Sequence, residues 1–140
     1  MDRAQLATWI ERYERAWRTP GTDALAELFV PDATYMTAPF EEPYRGLAAI
    51  EELWEAERDG PDEPFELESE VLAVEGSTGV ARLEVRYLAP GGRTYREIWI
   101  VTLGEDGRCT AFEEWPFWPR ETGGGYHSPS GGANEPPGET

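Results

Sequence analysis

The side chains in this sequence that could move a proton are glutamates set among aromatic residues late in the chain. In TYREIWIVTL, strand periodicity puts Glu97 on one face with Tyr95, Trp99, Val101 and Leu103. If that face is the concave side of a sheet, burial disfavours the charged carboxylate, raises its pKa and makes it a general base. The alternative is that Glu97 reaches the rim or pairs with an arginine of the strand.

A second acidic candidate is the pair Glu113 and Glu114 in CTAFEEWPFW. Neighbouring residues of a strand point to opposite faces, so one of these carboxyl groups points inward. The spacing from Phe112 to Trp115 departs from a period of two and predicts a β-bulge, which leaves the choice between them open. Either residue has the alternative role of a solvated or interface glutamate.

The sequence contains few residues that could support other kinds of catalysis. His127 is the only histidine, and lysine is absent, which excludes the phosphate-binding lysine of P-loops and any Schiff base. His127 falls in residues 120–140, where glycine and proline dominate and apolar residues are scarce. Such a segment cannot repay the entropy of ordering, so we expect a flexible acidic tail and no catalytic histidine.

Metal and cofactor chemistry finds no support in the sequence. The acidic groups of the loops match no known metal-binding spacing, and loop acids are usually solvated. They are Glu41 and Glu42, and the set Asp59, Asp62 and Glu63. The turns GTD and GEDG lack the strand and helix that surround a phosphate-binding loop. We therefore expect neither a metal ion nor a cofactor.

Length and charge limit the remaining classes of protein. The chain has 140 residues, of which 39% are hydrophobic, and a net charge of −16. This length suits one domain, residues 1–119, followed by the tail. The negative field disfavours nucleic acid and anionic membranes as partners. A charged amino-terminal segment and a single cysteine, Cys109, make a cytoplasmic location the expectation.

Hydrophobic periodicity predicts helices first and strands afterwards. A helix is expected over residues 3–18, a short one through Phe29 and a third over 47–58. A short strand is expected over 33–38. Four longer, antiparallel strands follow over 65–76, 80–89, 94–103 and 109–118. This order is typical of an α+β fold.

Four segments carry a resemblance to a known superfamily. They are ERYERAW in the first helix, LFVPDATY, YRGLAAIEELW and WIVTLGEDGR. In this order they resemble the nuclear-transport-factor-like superfamily, which includes SnoaL-like polyketide cyclases and ketosteroid isomerase. The resemblance extends over nearly all of residues 5–118. It implies a cone, in which a curved antiparallel or mixed sheet wraps three N-terminal helices and leaves an internal pocket.

The resemblance also implies roles for single residues. Tyr13 matches the helical tyrosine that helps form the oxyanion hole of ketosteroid isomerase. The general base of that enzyme falls at Thr37 or Ala38 here, and its protonated aspartate falls near Trp99, so steroid isomerisation by that mechanism is not expected. SnoaL-like cyclases use an acid from the sheet, for which Glu97 and Glu114 are the candidates. The alternative for Tyr13 is core packing with a hydrogen bond to a neighbour.

The expected pocket wall is aromatic. Five residues are predicted to contact a ligand, with plain core packing as the alternative: Trp17, Tyr35, Trp54, Trp99 and Phe112. The leading functional prediction is therefore a protein that binds an apolar or aromatic small molecule. The alternatives are a cofactor-independent cyclase, isomerase or dehydratase with a glutamate base, and a protein-interaction module without catalysis.

A second surface of the predicted sheet favours self-association. Arg82, Glu84 and Arg86 alternate with apolar residues, which predicts an outer sheet face with cross-strand ion pairs. In the superfamily this face often forms a dimer. Together with aromatic residues expected to be exposed near the end of the domain, Trp115, Phe117 and Trp118, it predicts a homodimer.

Overall fold

The computed structural model describes residues 1–57 and 64–119. Its elements are α1 (Arg3–Arg18), α2 (Leu25–Leu28), β1 (Phe29–Met36), β2 (Tyr44–Arg45), α3 (Leu47–Glu57), β3 (Phe65–Glu75), β4 (Thr78–Tyr87), β5 (Thr94–Leu103) and β6 (Cys109–Phe117). The strands form one sheet of order β2-β1-β6-β5-β4-β3, in which only the β1–β6 pair is parallel. The sheet is curved and unclosed, and the predicted α+β cone is confirmed.

The first helix fills the concave side of the sheet. Asp2 caps α1 by accepting a hydrogen bond from the Gln5 backbone N–H, and the Gln5 side-chain oxygen accepts one from the Asp2 backbone N–H. The buried stripe of α1 is Leu6, Trp9, Ile10, Tyr13 and Ala16. Gly79 of β4 permits a close approach, since a Cβ atom there would lie 2.6 Å from Leu6 Cδ2.

The first strand begins earlier than the sequence predicted. We expected the second helix to reach Phe29 and a strand only over 33–38, but α2 ends at Leu28 and β1 begins at Phe29. The register between β1 and β6 shifts between Phe29 and Thr34. Pro31 lies inside this irregular stretch, where the missing backbone N–H of proline breaks no regular ladder.

Buried apolar side chains on the concave side form two clusters. The larger one joins α1, α2 and α3 to the sheet and includes Trp99 and Phe112. The smaller one contains Phe65, Val85, Tyr95 and Trp118. Glu97 lies opposite Pro116, in the row of the sheet between the two clusters, and Trp17 of α1 packs against both. Glu97 is therefore a buried polar residue at the boundary between the two clusters.

The outer face of the sheet carries ion pairs between neighbouring strands, as predicted. Arg82 pairs with Glu70 at 3.0 Å, and Arg96 pairs with Glu84 at 3.1 Å. A further pair, between Arg86 and Glu66, measures 3.1 Å. One part of the prediction for the outer face is wrong: Trp118 is not exposed but 2% accessible, because it points into the smaller cluster on the concave side.

Two predictions fall on residues that the structure does not describe. The tail, residues 120–140, lies outside the described residues, and so does residue 58 at the predicted end of the third helix. None of the helices in the described part of the chain is both long and apolar enough to cross a membrane.

Candidate functional site

Strand register brings the two candidate glutamates to the same face of the sheet. Glu97 of β5 lies opposite Pro116, and Glu114 of β6 lies opposite Trp99. The β5–β6 pairing is regular from Arg96 to Thr102, so the bulge predicted near Phe112 is absent, and the register shifts instead between Thr102 and Leu103. Regular alternation points Glu114 inward.

The neighbouring glutamate points to the other side. Glu113 lies opposite Ile100 on the outer face. There its carboxylate accepts a hydrogen bond from Nε1 of Trp115 at 3.2 Å. The choice that the sequence left open between Glu113 and Glu114 is therefore resolved by the ladder, and Glu114 is the one that faces the helices.

The two inward carboxyl groups are close enough to shift each other's pKa. Glu97 is only 8% exposed, whereas Glu114 is half-buried and keeps some contact with solvent. Each carboxyl group also has a second partner. Trp99 donates its indole Nε1–H to Glu97 Oε1 at 2.8 Å, and Tyr35 donates its hydroxyl to Glu114 Oε1 at 3.3 Å.

Burial raises the pKa of both carboxyl groups. For Glu97, hydrogen bonds from Glu114 and Trp99 stabilise the charged form and offset part of the rise in pKa. For Glu114, the negative charge of Glu97 adds to burial, and the carboxylate of Glu57 on α3 adds to it further, so its pKa is raised well above the usual value. Of the two carboxyl groups, Glu114 is therefore the one that favours the protonated form more strongly.

Two tyrosine hydroxyl groups extend this hydrogen-bonded chain towards α1. The hydroxyl oxygens of Tyr13 and Tyr35 are 2.6 Å apart, and either can donate. When Tyr35 donates to Glu114, the proton between the two hydroxyls comes from Tyr13. Burial, and next the charge of Glu114, raise the pKa of both tyrosines well above the usual value, so both stay neutral and able to donate.

The five predicted ligand residues also lie on the concave side, where their rings contact one another. Trp17 packs on Trp54 at 4.8 Å, and Tyr35 packs on Phe112 at 4.7 Å between ring centroids. Trp99 and Phe112 are 5.0 Å apart. Phe112 and Trp99 are deeply buried, whereas Trp17 is partly exposed. The arrangement thus runs from a packed floor at Phe112 to an accessible edge at Trp17.

Other predicted or conceivable sites lie away from this face. Ala38, one of the two positions that match the base of ketosteroid isomerase, is buried and carries no proton acceptor. An open groove borders the acidic side of α3 and contains none of the predicted site residues; its lining is Thr22, Ala48, Glu51, Glu52, Glu55 and Ala56. Within residues 1–57 and 64–119, no group of three acidic, histidine or cysteine side chains could hold a metal ion.

Sequence reasoning missed the connections between the site residues. It did not foresee that Tyr13 reaches Glu114 through Tyr35, because these residues are far apart in sequence and meet only through the parallel β1–β6 pairing. It also missed Glu57 as a source of negative charge at Glu114. The sequence feature that could have indicated this connection was Tyr35, because a tyrosine on the buried face of a strand needs a hydrogen-bond partner for its hydroxyl.

Comparisons with known proteins agree with this architecture. A family model described as SnoaL-like domain matches residues 10–112. A search of curated protein sequences returned no match.

Solved structures of the same fold include a protein assigned to the SnoaL-like polyketide cyclases of Jannaschia sp. CCS1. It is 16% identical, with a TM-score of 0.63 over 83% of this chain and 90% of that chain. The epoxide hydrolase/cyclase-like enzyme SalBIII of salinomycin formation is 20% identical, with a TM-score of 0.65 over 90% and 98%. The CaMKII hub of S. rosetta is 17% identical, with a TM-score of 0.59 over 81% and 95%. The matched domain and the shared fold together show that the chain belongs to the SnoaL-like domain family.

Proposed function

We propose that this protein is a cofactor-independent acid–base enzyme that acts on an apolar or aromatic small molecule. The reaction class is cyclisation, isomerisation or dehydration, all of which need one proton removed and another delivered. The observation that carries the proposal is the buried carboxyl pair, in which burial raises the pKa of both groups and the charge of Glu97 raises the pKa of Glu114 further. Two carboxyl groups with separated pKa values supply a base and an acid at the same pH.

The roles follow from the proton positions. Glu97 accepts a proton from the substrate, because it is the carboxylate of the pair and its raised pKa makes it a stronger base than an exposed glutamate. Glu114 delivers a proton to an oxygen that gains negative charge. Tyr35 donates to Glu114 and stabilises the anion that Glu114 becomes after it has given up its proton.

The position of Glu97 at the boundary between the two apolar clusters supports a binding position beside it. The larger and smaller clusters share no buried member, and both Trp17 and Leu67 pack against the two of them. A flat apolar ligand placed there would touch aromatic rings of both clusters and have a carboxylate in reach. Trp17 and Trp54 then form the wall on the helix side, and Tyr95 and Trp118 the wall on the sheet side.

The names of the structural neighbours point in the same direction. One is assigned to the polyketide cyclases and another is an epoxide hydrolase/cyclase-like enzyme in pyran ring formation. Ring closures of this kind require proton transfer and no redox cofactor. At this sequence identity the likeness supports the reaction class and leaves the substrate to experiment.

Proton abstraction can be tested without knowing the natural substrate. 5-Nitrobenzisoxazole is a flat aromatic probe whose ring opens when a base removes its carbon-bound proton. The C–H electron pair forms the nitrile, the N–O bond breaks and a coloured phenolate leaves. We expect the wild-type protein to accelerate this opening well beyond free acetate at equal carboxylate concentration.

Matched glutamine variants assign the activity to the pair. Glu97→Gln removes the base and should abolish turnover, whereas Glu114→Gln should reduce it strongly. Glu113→Gln, one residue from Glu114 but on the outer face, is the control and should keep wild-type turnover. If Glu97→Gln and wild type open the probe at the same rate, the protein is not an acid–base enzyme of this kind.

A homodimer through the outer sheet face is the second part of the proposal. Ile98 and Trp115 face each other across β5 and β6, half-buried in the single chain, with Ile100 next to them. The ion pairs of β3 and β4 border this apolar strip. Half-exposed aromatic and aliphatic residues with a polar border are typical of interfaces. The hub named among the structural neighbours lends support from another protein of this fold.

A cytoplasmic location completes the proposal. Cys109 is the only cysteine of the sequence, so the domain is built without a disulfide between its own residues. Its thiol is buried, which raises its pKa to about 12 and keeps it unreactive. Cell fractionation that places the protein outside the cytoplasm would contradict this part.

A further inference from the structure

Trp99 was expected to contact a ligand, but its polar atom is used within the protein. The indole Nε1–H donates to Glu97 Oε1 at 2.8 Å. Both residues are buried, and they lie two positions apart on the same strand, so their side chains share one face. An indole nitrogen can only donate a hydrogen bond. Glu97 Oε1, which accepts this hydrogen bond, therefore cannot carry a proton directed at the indole of Trp99.

The partner of Glu114 imposes no such condition. A tyrosine hydroxyl can donate or accept, and Tyr35 lies in a second hydrogen bond with Tyr13 that can run in either direction. Tyr35 can thus satisfy Glu114 in its charged or its neutral form. The two carboxyl groups therefore differ. The partner of Glu97 can only donate a hydrogen bond, whereas the partner of Glu114 can donate or accept one.

Aromatic packing fixes the position of the indole. The ring of Trp99 lies 4.6 Å from Tyr13 and 5.0 Å from Phe112 between centroids, and Trp9 closes a third side at 6.4 Å. A ring held on three sides cannot turn its N–H away from Glu97 without disturbing the core. The donor is therefore preorganised and does not depend on a bound ligand.

Among the described residues, the other titratable groups that act on the pair carry no positive charge that would attract the carboxylate of Glu97. Those that act on this hydrogen-bonded chain from the surrounding elements are Tyr13 of α1, Tyr35 of β1, Glu57 of α3 and Tyr87 of β4. Glu57 repels charge on Glu114, and the tyrosines are neutral at ordinary pH. Among the described residues, Trp99 is the fixed donor that prefers one carboxyl group over the other.

We infer that Trp99 is a positioning residue that holds the shared proton on Glu114 by donating its indole N–H to Glu97. The catalytic consequence of this role depends on the proposed acid–base function, because the position of the proton decides which glutamate is the base. It gives Trp99 a role through Glu97 in place of the ligand contact expected from the sequence. The hydrogen bond itself is measurable without a substrate.

The chain contains a matched control on the opposite face. Trp115 donates its Nε1–H to Glu113 two residues before it, as Trp99 does to Glu97, but this second pair lies on the outer face. Trp99→Phe and Trp115→Phe therefore remove the same donor from the same local arrangement. Only the first removes it from the carboxyl pair.

The test is a titration of the side-chain carboxyl carbons of Glu97 and Glu114 by ¹³C NMR, with resonances assigned through the glutamine variants. In Trp99→Phe, the pH at which Glu97 loses its proton should rise by about one to two units, as expected for losing a hydrogen bond to a charged group. Glu114 should lose part of its proton occupancy in return. In Trp115→Phe, both should titrate as in wild type. An unchanged Glu97 titration in Trp99→Phe overturns the inference.

A measurement on the wild-type protein covers the case in which Trp99→Phe fails to fold. The indole ¹H–¹⁵N resonance of Trp99 should shift with the pH step of Glu97, because its hydrogen bond shortens when the acceptor becomes charged. An indole resonance that follows the Glu114 step, or none, contradicts the inference. Since neither measurement uses a substrate, their failure is distinct from a failure of the glutamine variants to lose turnover.

Discussion

The carboxyl groups of Glu97 and Glu114 are close enough to shift each other's pKa, although neither residue lies opposite the other in the sheet. Glu97 faces Pro116 and Glu114 faces Trp99, so the two carboxyl groups meet diagonally across β5 and β6. Side chains at diagonal positions of a sheet are within reach of each other when they are long. Proline opposite Glu97 leaves the carboxylate without a directly facing polar partner, and Glu114 takes that place.

The carboxyl pair should make stability depend on pH in a defined direction. The pKa of Glu114 is raised in the folded state, so its contribution is full below the ordinary glutamate pKa of about 4.3 and is lost as pH rises through the folded value. Glu114→Gln keeps a neutral side chain at every pH. We therefore expect the variant to become more stable relative to wild type as the pH rises from 5 to 8.

Thermal or denaturant unfolding across this pH range measures the difference between the two proteins. Glu113→Gln serves as control because it removes one negative charge from the same strand on the outer face. It should show a smaller dependence. Equal curves for Glu114→Gln and Glu113→Gln would mean that Glu114 ionises like a surface residue.

The tyrosine pair should contribute unequally to stability. Tyr35 takes part in hydrogen bonds with both Tyr13 and Glu114, whereas the hydroxyl of Tyr13 bonds to Tyr35. Each buried hydrogen bond contributes about 1 kcal/mol. We expect Tyr35→Phe to destabilise the fold by about 2 kcal/mol and Tyr13→Phe by about 1 kcal/mol, as measured by denaturant unfolding.

An exposed tyrosine provides the reference for this pair. Tyr44 is 38% accessible on the edge strand β2, and Tyr44→Phe should change the free energy of unfolding by less than about 0.5 kcal/mol. If Tyr35→Phe were as mild as Tyr44→Phe, the hydroxyl of Tyr35 would not be part of a buried network.

Sequence patterns predicted which residues of each helix and strand point inward better than they predicted which residues of different elements contact each other. Period-two alternation placed Glu97 with Trp99, and helical periodicity placed Tyr13 inward, because each pattern is local. The start of β1 at Phe29 was missed, since Pro31 usually argues against a strand and only the irregular β1–β6 register accommodates it.

Contacts between distant strands had no local signal. The approach of Glu97 to Glu114 and the Tyr35–Glu114 hydrogen bond depend on how β1, β5 and β6 are registered against one another, and turns and packing set that register. Trp118 shows the same limit. Trp118 lies four residues after Glu114, so regular alternation points it inward, but the bulge predicted in this strand obscured that period.

Gly79 should be intolerant of a side chain. A Cβ atom there would lie 2.6 Å from Leu6 Cδ2 and 3.4 Å from Met1 Cε, and Leu6 is fully buried, so α1 would have to shift from the sheet. We expect Gly79→Ala to destabilise the fold by about 1–3 kcal/mol, as overpacking does. Chemical denaturation measures the loss.

A second substitution separates crowding from backbone effects at this position. Leu6→Val shortens the side chain that the new methyl group would meet, so the double variant with Gly79→Ala should lose less than the sum of the single losses. Simple additivity would show that the close approach of α1 to β4 is not the cause.

The proposed dimer makes the outer face sensitive to charge. Trp115→Glu places a carboxylate in the centre of the apolar strip with Ile98, and burying an unpaired charge at an interface is unfavourable. We expect sedimentation velocity to show a dimer for wild type at micromolar concentration and a monomer for the variant. Leu88→Glu, at a position 56% exposed beyond the end of β4, should remain dimeric. A wild-type monomer under these conditions refutes the proposed interface.

The central claim is that the carboxyl pair keeps one proton at neutral pH, and infrared spectroscopy tests it most directly. A neutral carboxylic acid has a C=O stretching band that carboxylates lack. The difference spectrum between wild type and Glu114→Gln at pH 7 should contain one such band, while Glu113→Gln should give none. If the Glu114→Gln difference spectrum shows only the loss of a carboxylate, Glu114 is ionised at pH 7 and the acid–base account is wrong.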